Sequence, residues 1–453
     1  MISEHTLAAI RFGAGLGGGH SSALDGAALL DSLHPELSSP DHAATSWDIR
    51  RARALERRMI NRALREDQDP ALSARLQEIN RKDRDESFAE LRAMMARLAY
   101  APTGFAERLL RFWANHFAAQ RRGGVMRAGR PALIEEALRP NITGSFQSLL
   151  RAAVLHPVML VYLDQTVSVG PFSRVGRRRG RGLNENMARE VLELHTLGSA
   201  GGYTQSDVTE FARLLTGLSV SLEKGFTFEP RIAEPGLIEI FGKRYGGRPM
   251  TLGHITEFLD DLALRPETAQ HLASKLARHF ISDTPDPQLV AHMAASYLHG
   301  SGNLMALYRA MLEHPAAWDA PLSKARAPFE VMAASIRALN LPREMLSEMS
   351  TRETRVFFAR PLEAMGEPFD QVPSPAGYGE DAAYWVTPQG LAARIDWAMA
   401  LAQRVPAAPD PRDFVDIAMA DAASDTLRRA ASGAETRVQG VGLILSAPEF
   451  NRR

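Results

Sequence analysis

Four carboxylates, Glu190, Glu193, Asp207 and Glu210, fall within one short stretch that also carries Arg189, Asn184 and Asn186. Acidic side chains at that density, with a cation among them, are the groups that hold divalent ions or relay protons. Asn184 is placed to cap a helix, and Glu185 in the first turn complements the positive end of its dipole. At about 100° per residue, Asn186, Arg189, Glu190 and Glu193 share one narrow face, while Met187, Val191, Leu192 and Leu194 occupy the other. Gly198 and the Gly201-Gly202 pair end this helix, expected over 184–197. A second begins at Thr204, with Asp207 as its capping-box partner, and carries Val208, Phe211, Ala212 and Leu215 as an apolar stripe up to Gly217. So short a connection predicts an antiparallel hairpin, which brings Glu193 and Asp207 near the loop and Glu190 and Glu210 one turn away. The plain alternative is a solvated face laced by Glu185–Arg189 and Glu210–Arg213 pairs, each worth about 0.2–0.5 kcal/mol.

His116, between Asn115 and Phe117 in the aromatic run RFWANHF, is the histidine such a site would recruit, or else a hydrogen-bonded core residue. The candidate catalytic set is therefore Glu190, Glu193, Arg189 and His116, with Asn184, Asn186, Asp207 and Glu210 as binding groups. Glu193 and His195 are two apart and point roughly 200° away from each other on a helix. Neither the Glu-x-x-His of di-iron bundles nor a His-Glu-x-x-His pair is present. An oxygen-rich cluster suits Mg²⁺, Ca²⁺ or Mn²⁺ better than Zn²⁺, so a divalent cation stays open as a cofactor although no metal is expected. There are no cysteines, which excludes disulfides, thiolate metal sites and a cysteine nucleophile. GAGLGGG at 13–19 follows no strand and lacks the Lys-Ser/Thr of a phosphate loop, so it reads as a flexible turn. No Gly-x-Ser-x-Gly nucleophile elbow occurs.

The loop SRVGRRRGRG at 173–182 leads into the acidic helix and supplies Arg177, Arg178 and Arg179. Guanidinium forks in that number suit a phosphate, sulfate or carboxylate polymer; a solvated insertion is the alternative. Basic and acidic residues balance at 53 each, so no global field attracts nucleic acid, and the interleaved aromatics of a nucleic-acid surface are missing.

Elsewhere the 3.6-residue period dominates. Helices are expected at 47–65, 71–82, 84–100, 131–139, 145–156, 266–280, 286–299, 303–314, 327–340, 388–404, 411–431 and 435–446, with Pro102 opening another through RFWANHF. Strand character is confined to 226–245, which predicts one small β-hairpin inserted within 220–255. The fold class is thus mainly α, a multi-helix array with a small hairpin insertion. Long irregular stretches fall at 167–182 and 366–387. SLLRAAVLHP at 148–157 and ALYRAMLEHP at 306–315 share Leu, Arg, Ala, His and Pro in register. They predict a recurring helix ended by Pro, with His156 and His314 at the negative end of its dipole. No apolar run nears the ~20 residues that span a bilayer. The first residues lack a basic n-region and their apolar stretch is broken by Arg11, which implies a cytoplasmic protein unless it is exported with a partner or the start is misplaced.

LNENMAREVLELHTLG at 183–198 and the GGYTQSDVTEFARLLTG that follows resemble the signature of a bacterial family catalogued as domain of unknown function 1800. RFGAGLG at 11–17, RFWANHF at 111–117, HPVMLVYLD at 156–164, RHFISDTPDP at 278–287, SPAGY at 374–378 and SAPEF at 446–450 match the family's other segments in order. The resemblance implies one family-wide helical unit over 1–453, comprising N-terminal helices to 165, the signature hairpin at 183–218, the insertion at 220–255 and C-terminal helices from 256. It also implies a bacterial protein whose gene neighbours often encode exported, sulfatase-like proteins. One departure stands out: Ala233-Glu234-Pro235-Gly236 occupies the place where relatives often carry a His before the acid-Pro-Gly. Two functions follow. One is a binding or assembly partner acting with a sulfatase-like neighbour on envelope or exported material. The other is a hydrolase-like enzyme using the acidic signature patch.

Overall fold

Many of the helices begin the same way, with an acceptor side chain followed at once by proline, whose missing N–H costs nothing at a first helical position. Asp69 caps Pro70–Tyr100 through the Ala71 N–H, Asp286 caps Pro287–His299 through Gln288, and Asp410 caps Pro411–Met419 through Arg412. The computed structural model describes residues 2–17, 24–38, 44–120, 129–179, 182–319 and 321–453. Over these the protein is mainly α-helical with small antiparallel hairpins, as its periodicity predicts. None of the described helices is long and apolar enough to cross a membrane.

Several boundaries differ for identifiable reasons. The two helices expected at 71–82 and 84–100 are one, Pro70–Tyr100, because Asp83 is no breaker: Arg53 and Arg57 of Trp47–Glu66 pair with it. Pro102 lies outside the helix Phe105–His116, which starts instead after Gly104 (φ +81). The Glu36 carboxylate accepts from the Thr103, Gly104 and Ala106 N–H groups there, an acid on a helix N-terminus. The helix expected at 411–431 breaks at Ala420 (φ +45) into Pro411–Met419 and Asp425–Ser432.

Among the described residues there are two hairpins where one is expected. Leu218–Ser221 pairs with Gly225–Phe228, and Gly236–Ile240 pairs with Lys243–Gly247. Each apolar run turns back on its own neighbour. In the second, Phe241 and Gly242 both have positive φ, the two-residue turn whose twist matches paired strands. His156 and His314 also differ from expectation. Each closes one helix but serves the next: its Nδ1 accepts an N–H across the Pro corner, from Val158 and from Ala316.

Two apolar cores result. One gathers Phe105–His116, the signature hairpin and the helices up to Ala317. The other packs Pro70–Tyr100 against the C-terminal helices from Pro328–Ala338 to Arg437–Ser446. The segment 8–17 threads between them, with Phe12 in the first and Ile10 and Ala14 in the second. Its glycines are therefore not a flexible turn. Arg108 donates to the Arg11 and Gly13 carbonyls and Arg337 to that of Gly15, while a Cβ on Gly17 would lie 2.5 Å from the Arg337 carbonyl oxygen. Gly18 and Gly19 lie outside the described residues.

Where the cores meet, charge is buried. Glu330 stands between Arg108 (Nε 3.3 Å) and Arg453 (Nε 3.2 Å), all three at most 6% exposed. Burial works to raise the Glu330 pKa, but the arginines outweigh it and hold the carboxyl well below the ordinary range. Replacing Glu330 by Gln strands two buried guanidiniums and is expected to cost about 3–5 kcal/mol in urea unfolding. Phe211→Ala in the first core should cost a similar ~3–5 kcal/mol, whereas Glu223→Ala, which loses a surface pair with Arg58, should stay within about 1 kcal/mol.

Candidate functional site

Helix Pro266–Phe280 is apolar through Leu272, Ala273, Leu276, Ala277 and Phe280, yet carries His271, Lys275 and His279 four residues apart. That spacing stacks three titratable groups along one helix face. The face looks onto the end of Phe105–His116 and onto the signature helix. His271 Nε2 meets the Leu194 carbonyl at 3.1 Å and His116 Nε2 meets the His195 carbonyl at 3.0 Å. The rings of His116 and His195 lie 5.8 Å apart, and those of His116 and His271 6.3 Å.

The signature helix reaches this position through a change of pitch. Asn186–Glu190 is α-helical, but Val191–Thr196 is a π turn, shown by the Leu197 N–H donating to the Leu192 carbonyl at 2.9 Å. The Thr196 hydroxyl takes up the Val191 carbonyl at 2.7 Å. The extra residue in the turn rotates His195 and Thr196 inward and leaves Leu194, expected in the core, only half-buried. Met187, Val191, Leu192, Phe211 and Leu215 are buried as predicted. Gly198 has φ +80, and a Cβ there would lie 2.7 Å from His271 Nδ1, so only glycine lets that ring approach.

At the far end of the ladder, His279 Nδ1 meets both Glu380 carboxylate oxygens, at 2.9 and 3.0 Å. Asn115 fixes the loop that supplies Glu380: its side chain accepts from the Tyr378 N–H (2.8 Å) and donates to the Tyr378 carbonyl (3.1 Å). Gly377, with φ +78, is required because a Cβ would lie 2.3 Å from Asn115 Oδ1. Lys324, fully buried, donates to Asp283 at 2.6 Å and to the Glu380 carbonyl.

His279, Glu380, Asn115 and Tyr378 edge a cavity of about 60 Å³, lined among others by Arg111, Arg130, Glu330, Glu367 and Arg453. It has room for a few waters. Arg111 pairs with Glu367, whereas Arg130 makes no ion pair among the described residues. Burial pushes His279 down to about 4 against the pull of Glu380. Burial alone would raise Glu380, but His279, Arg453 and Lys324 outweigh it and hold its carboxyl at about 2. At neutral pH the pair is thus a neutral imidazole on a carboxylate. Glu380 accepts from the Nδ1–H, which leaves Nε2 as the basic nitrogen, and Nε2 is buried without a hydrogen-bond partner. Burial also lowers His195 to about 3, His271 to about 4 and Lys275 to about 8, and takes His116 well below its ordinary value.

The residues predicted from sequence are distributed over several places. His116 is inside, against His195. Glu185 binds Thr209 (2.7 Å) and Gln205 (2.8 Å) across the hairpin and pairs with Arg189 (3.3 Å). Glu193 accepts from the Tyr203 hydroxyl at 3.4 Å, and Glu190, half-buried beside it, is raised by burial and by Glu193. Asp207 closes the capping box with Thr204, and Glu210 pairs with Arg213 at 2.8 Å. Arg213 also meets Glu234, which is fully buried and accepts from the Phe172 N–H at 3.0 Å. Ala233 beside it is buried too. Asn184 accepts from the Asn186 N–H, and Asn186 donates to the Leu163 carbonyl. Arg177 and Arg178 are exposed; Arg179 closes the short helix Gly176–Arg179, and its side chain lies outside the described residues. Among the described residues no three His, Asp or Glu side chains gather as a metal site.

The residue types and spacings of the sequence did not single out His271, Lys275, His279 or Glu380, although 278–287 and 374–378 stood out as segments. The readable signal was the four-residue spacing of 271, 275 and 279 through an apolar helix.

A family model described as "Protein of unknown function (DUF1800)" matches residues 8–452. No curated protein and no solved structure matches the chain.

The buried histidines make stability depend on pH with a definite sign. They are neutral when folded and take a proton near 6.5 when unfolded, so their contribution is complete above about 6.5 and is lost as pH falls toward about 4. Each group adds up to ~1.4 kcal/mol per pH unit to the slope. Urea unfolding at pH 7 and pH 5 should show a steep loss, and His195→Phe should flatten that slope by about one group's share.

Proposed function

The chain belongs to the DUF1800 family, described only as being of unknown function, and from the geometry we propose that it is a hydrolase-type enzyme in which His279 activates a water. The observation that carries this reading is the His279–Glu380 pair, with Nε2 unpartnered at the edge of a charged cavity. A carboxylate on Nδ1 fixes the tautomer, leaves Nε2 as the basic nitrogen and offsets part of the burial that lowers its pKa, the arrangement of a general base. The Tyr378 hydroxyl in the lining donates to the Pro368 and Gln371 carbonyls, and the nucleophile of this reading is water. Its proton passes to Nε2 as its oxygen bonds to the acyl, phosphoryl or sulfuryl centre of an ester; the bond from that centre to the leaving alcohol's oxygen breaks, and that oxygen takes the proton back from Nε2. In this reading Arg130, which lines the cavity, draws in the substrate's anionic group and stabilises charge that develops on it. Asn115 acts on Glu380 through the Tyr378 backbone and is a positioning residue. The signature helix supports the site from behind, through His195 against His116.

One observation favours the assembly-partner reading. Phe172 is 57% exposed, with the guanidiniums of Arg177 and Arg213 each 5.9 Å from its ring, and Arg178 is exposed nearby in sequence. An accessible aromatic set among arginines is a surface that a sulfatase-like neighbour or its anionic polymer would recognise.

Hydrolysis of p-nitrophenyl acetate, phosphate and sulfate by the purified protein tests the enzymatic reading. At least one should be turned over, with kcat/KM rising with pH and levelling above the histidine's titration. His279→Ala should lower it by about 10²–10⁴-fold. Loss of less than about threefold in both His279→Ala and Glu380→Gln would point away from this pair.

A further inference from the structure

A larger cavity lies elsewhere, a groove of about 660 Å³ walled by Trp47–Glu66, Pro70–Tyr100 and the turn formed by Arg355–Ala359 and Arg360–Ala364. Its volume falls in the range of sites that take a small organic ligand, roughly 300–1,000 Å³. Five arginines line it, Arg50, Arg57, Arg84, Arg355 and Arg360, against the carboxylates of Asp83 and Glu363. These arginines are not equivalent. Arg50 is committed to Glu90 and Arg57 to Asp83. Arg84 stands 3.8 Å from Asp85, its side chain 60% exposed. Arg355 and Arg360 are exposed, and their side chains make no ion pair or hydrogen bond among the described residues.

The backbone explains why Arg355 and Arg360 meet the same groove. Arg355–Ala359 is a π turn, and Arg355, Ala359, Arg360 and Glu363 all line the cavity. The widened turn presents two cations to one space, and such turns concentrate at ligand sites. Two half-buried aromatic rings, Phe88 and Phe369, and the side chains of Asn80, Ser87 and Gln371 complete the lining. We propose that this groove binds a saccharide bearing a sulfate or phosphate ester. Free guanidinium forks match a tetrahedral oxyanion in shape and charge. The rings offer an apolar face for a sugar, and the amide and hydroxyl groups hydrogen-bond its hydroxyls. Sulfate and phosphate share this chemistry, and the groove reads both through the same arginines.

The site is independent of the His279 cavity, although one segment serves both: Glu367 faces the cavity while Pro368, Phe369 and Gln371 line the groove.

Isothermal titration of the whole chain with glucosamine 6-sulfate and with glucose 6-phosphate tests the proposal, with glucose and sodium sulfate as controls. At least one ester should bind, each control at least tenfold more weakly, and the comparison of the two esters identifies the preferred anion. The double variant Arg355→Glu, Arg360→Glu should weaken the ester by tenfold or more with an unchanged melting temperature, because both side chains are exposed. Arg309→Glu, on a remote surface helix, should bind as the parent does. Failure of both esters to bind, equal binding of sodium sulfate, or an affinity for the double variant within threefold of the parent would overturn it.

Discussion

Two apolar cores in this protein meet across charge, and the carboxylate of Glu330 between Arg108 and Arg453 is the contact on which that meeting depends. Removing ions from water costs several kcal/mol each, so such a junction closes only when each of these charges lies against an opposite one. That requirement selects one way of fitting the halves together. Arg108 also holds the backbone of the segment 11–13 between the cores, and Arg337 holds the next turn of it. Arg453 extends the same junction toward the candidate site, since its backbone exchanges hydrogen bonds with Lys324, and Lys324 in turn donates to Asp283 and to the Glu380 carbonyl. The carboxylate that orients His279 is thus suspended from the junction by a short chain of named contacts.

The histidines inside illustrate what burial does to chemistry. Four imidazoles, His116, His195, His271 and His279, are held neutral because the protein around them cannot solvate a cation. Three of them use a ring nitrogen on a backbone carbonyl or a carboxylate, and His195 makes no such bond. A neutral ring with a free nitrogen is a base waiting for a proton donor. His279 differs from the others in having a carboxylate behind it and a cavity in front.

Much of this was legible in the residues. The 3.6-residue period marked most of the helices, Thr204 and Asp207 marked the start of the second signature helix, and the apolar stripes of the signature hairpin named Val191, Phe211 and Leu215 correctly as core, whereas Pro102 misplaced the start of Phe105–His116. Two kinds of feature were not legible. Long-range partners decide whether a polar residue is a breaker, as Asp83 shows: only the arginines of the preceding helix reveal that the helix continues through it. The same holds for the site, since Asn115, His279 and Glu380 are far apart in sequence and meet only when the cores close. Turn pitch was equally invisible. A helical wheel at a constant angle assigns Leu194 to the core and His195 elsewhere, and the π turn reverses both. The glycines at 13–17 read as freedom because their neighbours are supplied by Arg108 and Arg337, nearly a hundred and over three hundred residues later.

That π turn has a consequence for how this protein can change. An ordinary helix tolerates exchange of one side chain for another, and its register is set by all its turns together. Here the direction of His195 and Thr196 rests on a single surplus residue, stabilised by the Thr196 hydroxyl on the Val191 carbonyl. Deleting one residue between Val191 and Thr196 would let the turn relax to α pitch, and because the wide turn absorbs one surplus residue the positions after it would keep nearly their direction. His195 and Thr196 would lose the inward turn that the surplus residue gives them, and with it the Thr196 hydroxyl's hold on the Val191 carbonyl, while Gly198 would keep its place beside His271. The length of the stretch, and not just its letters, is therefore part of the site.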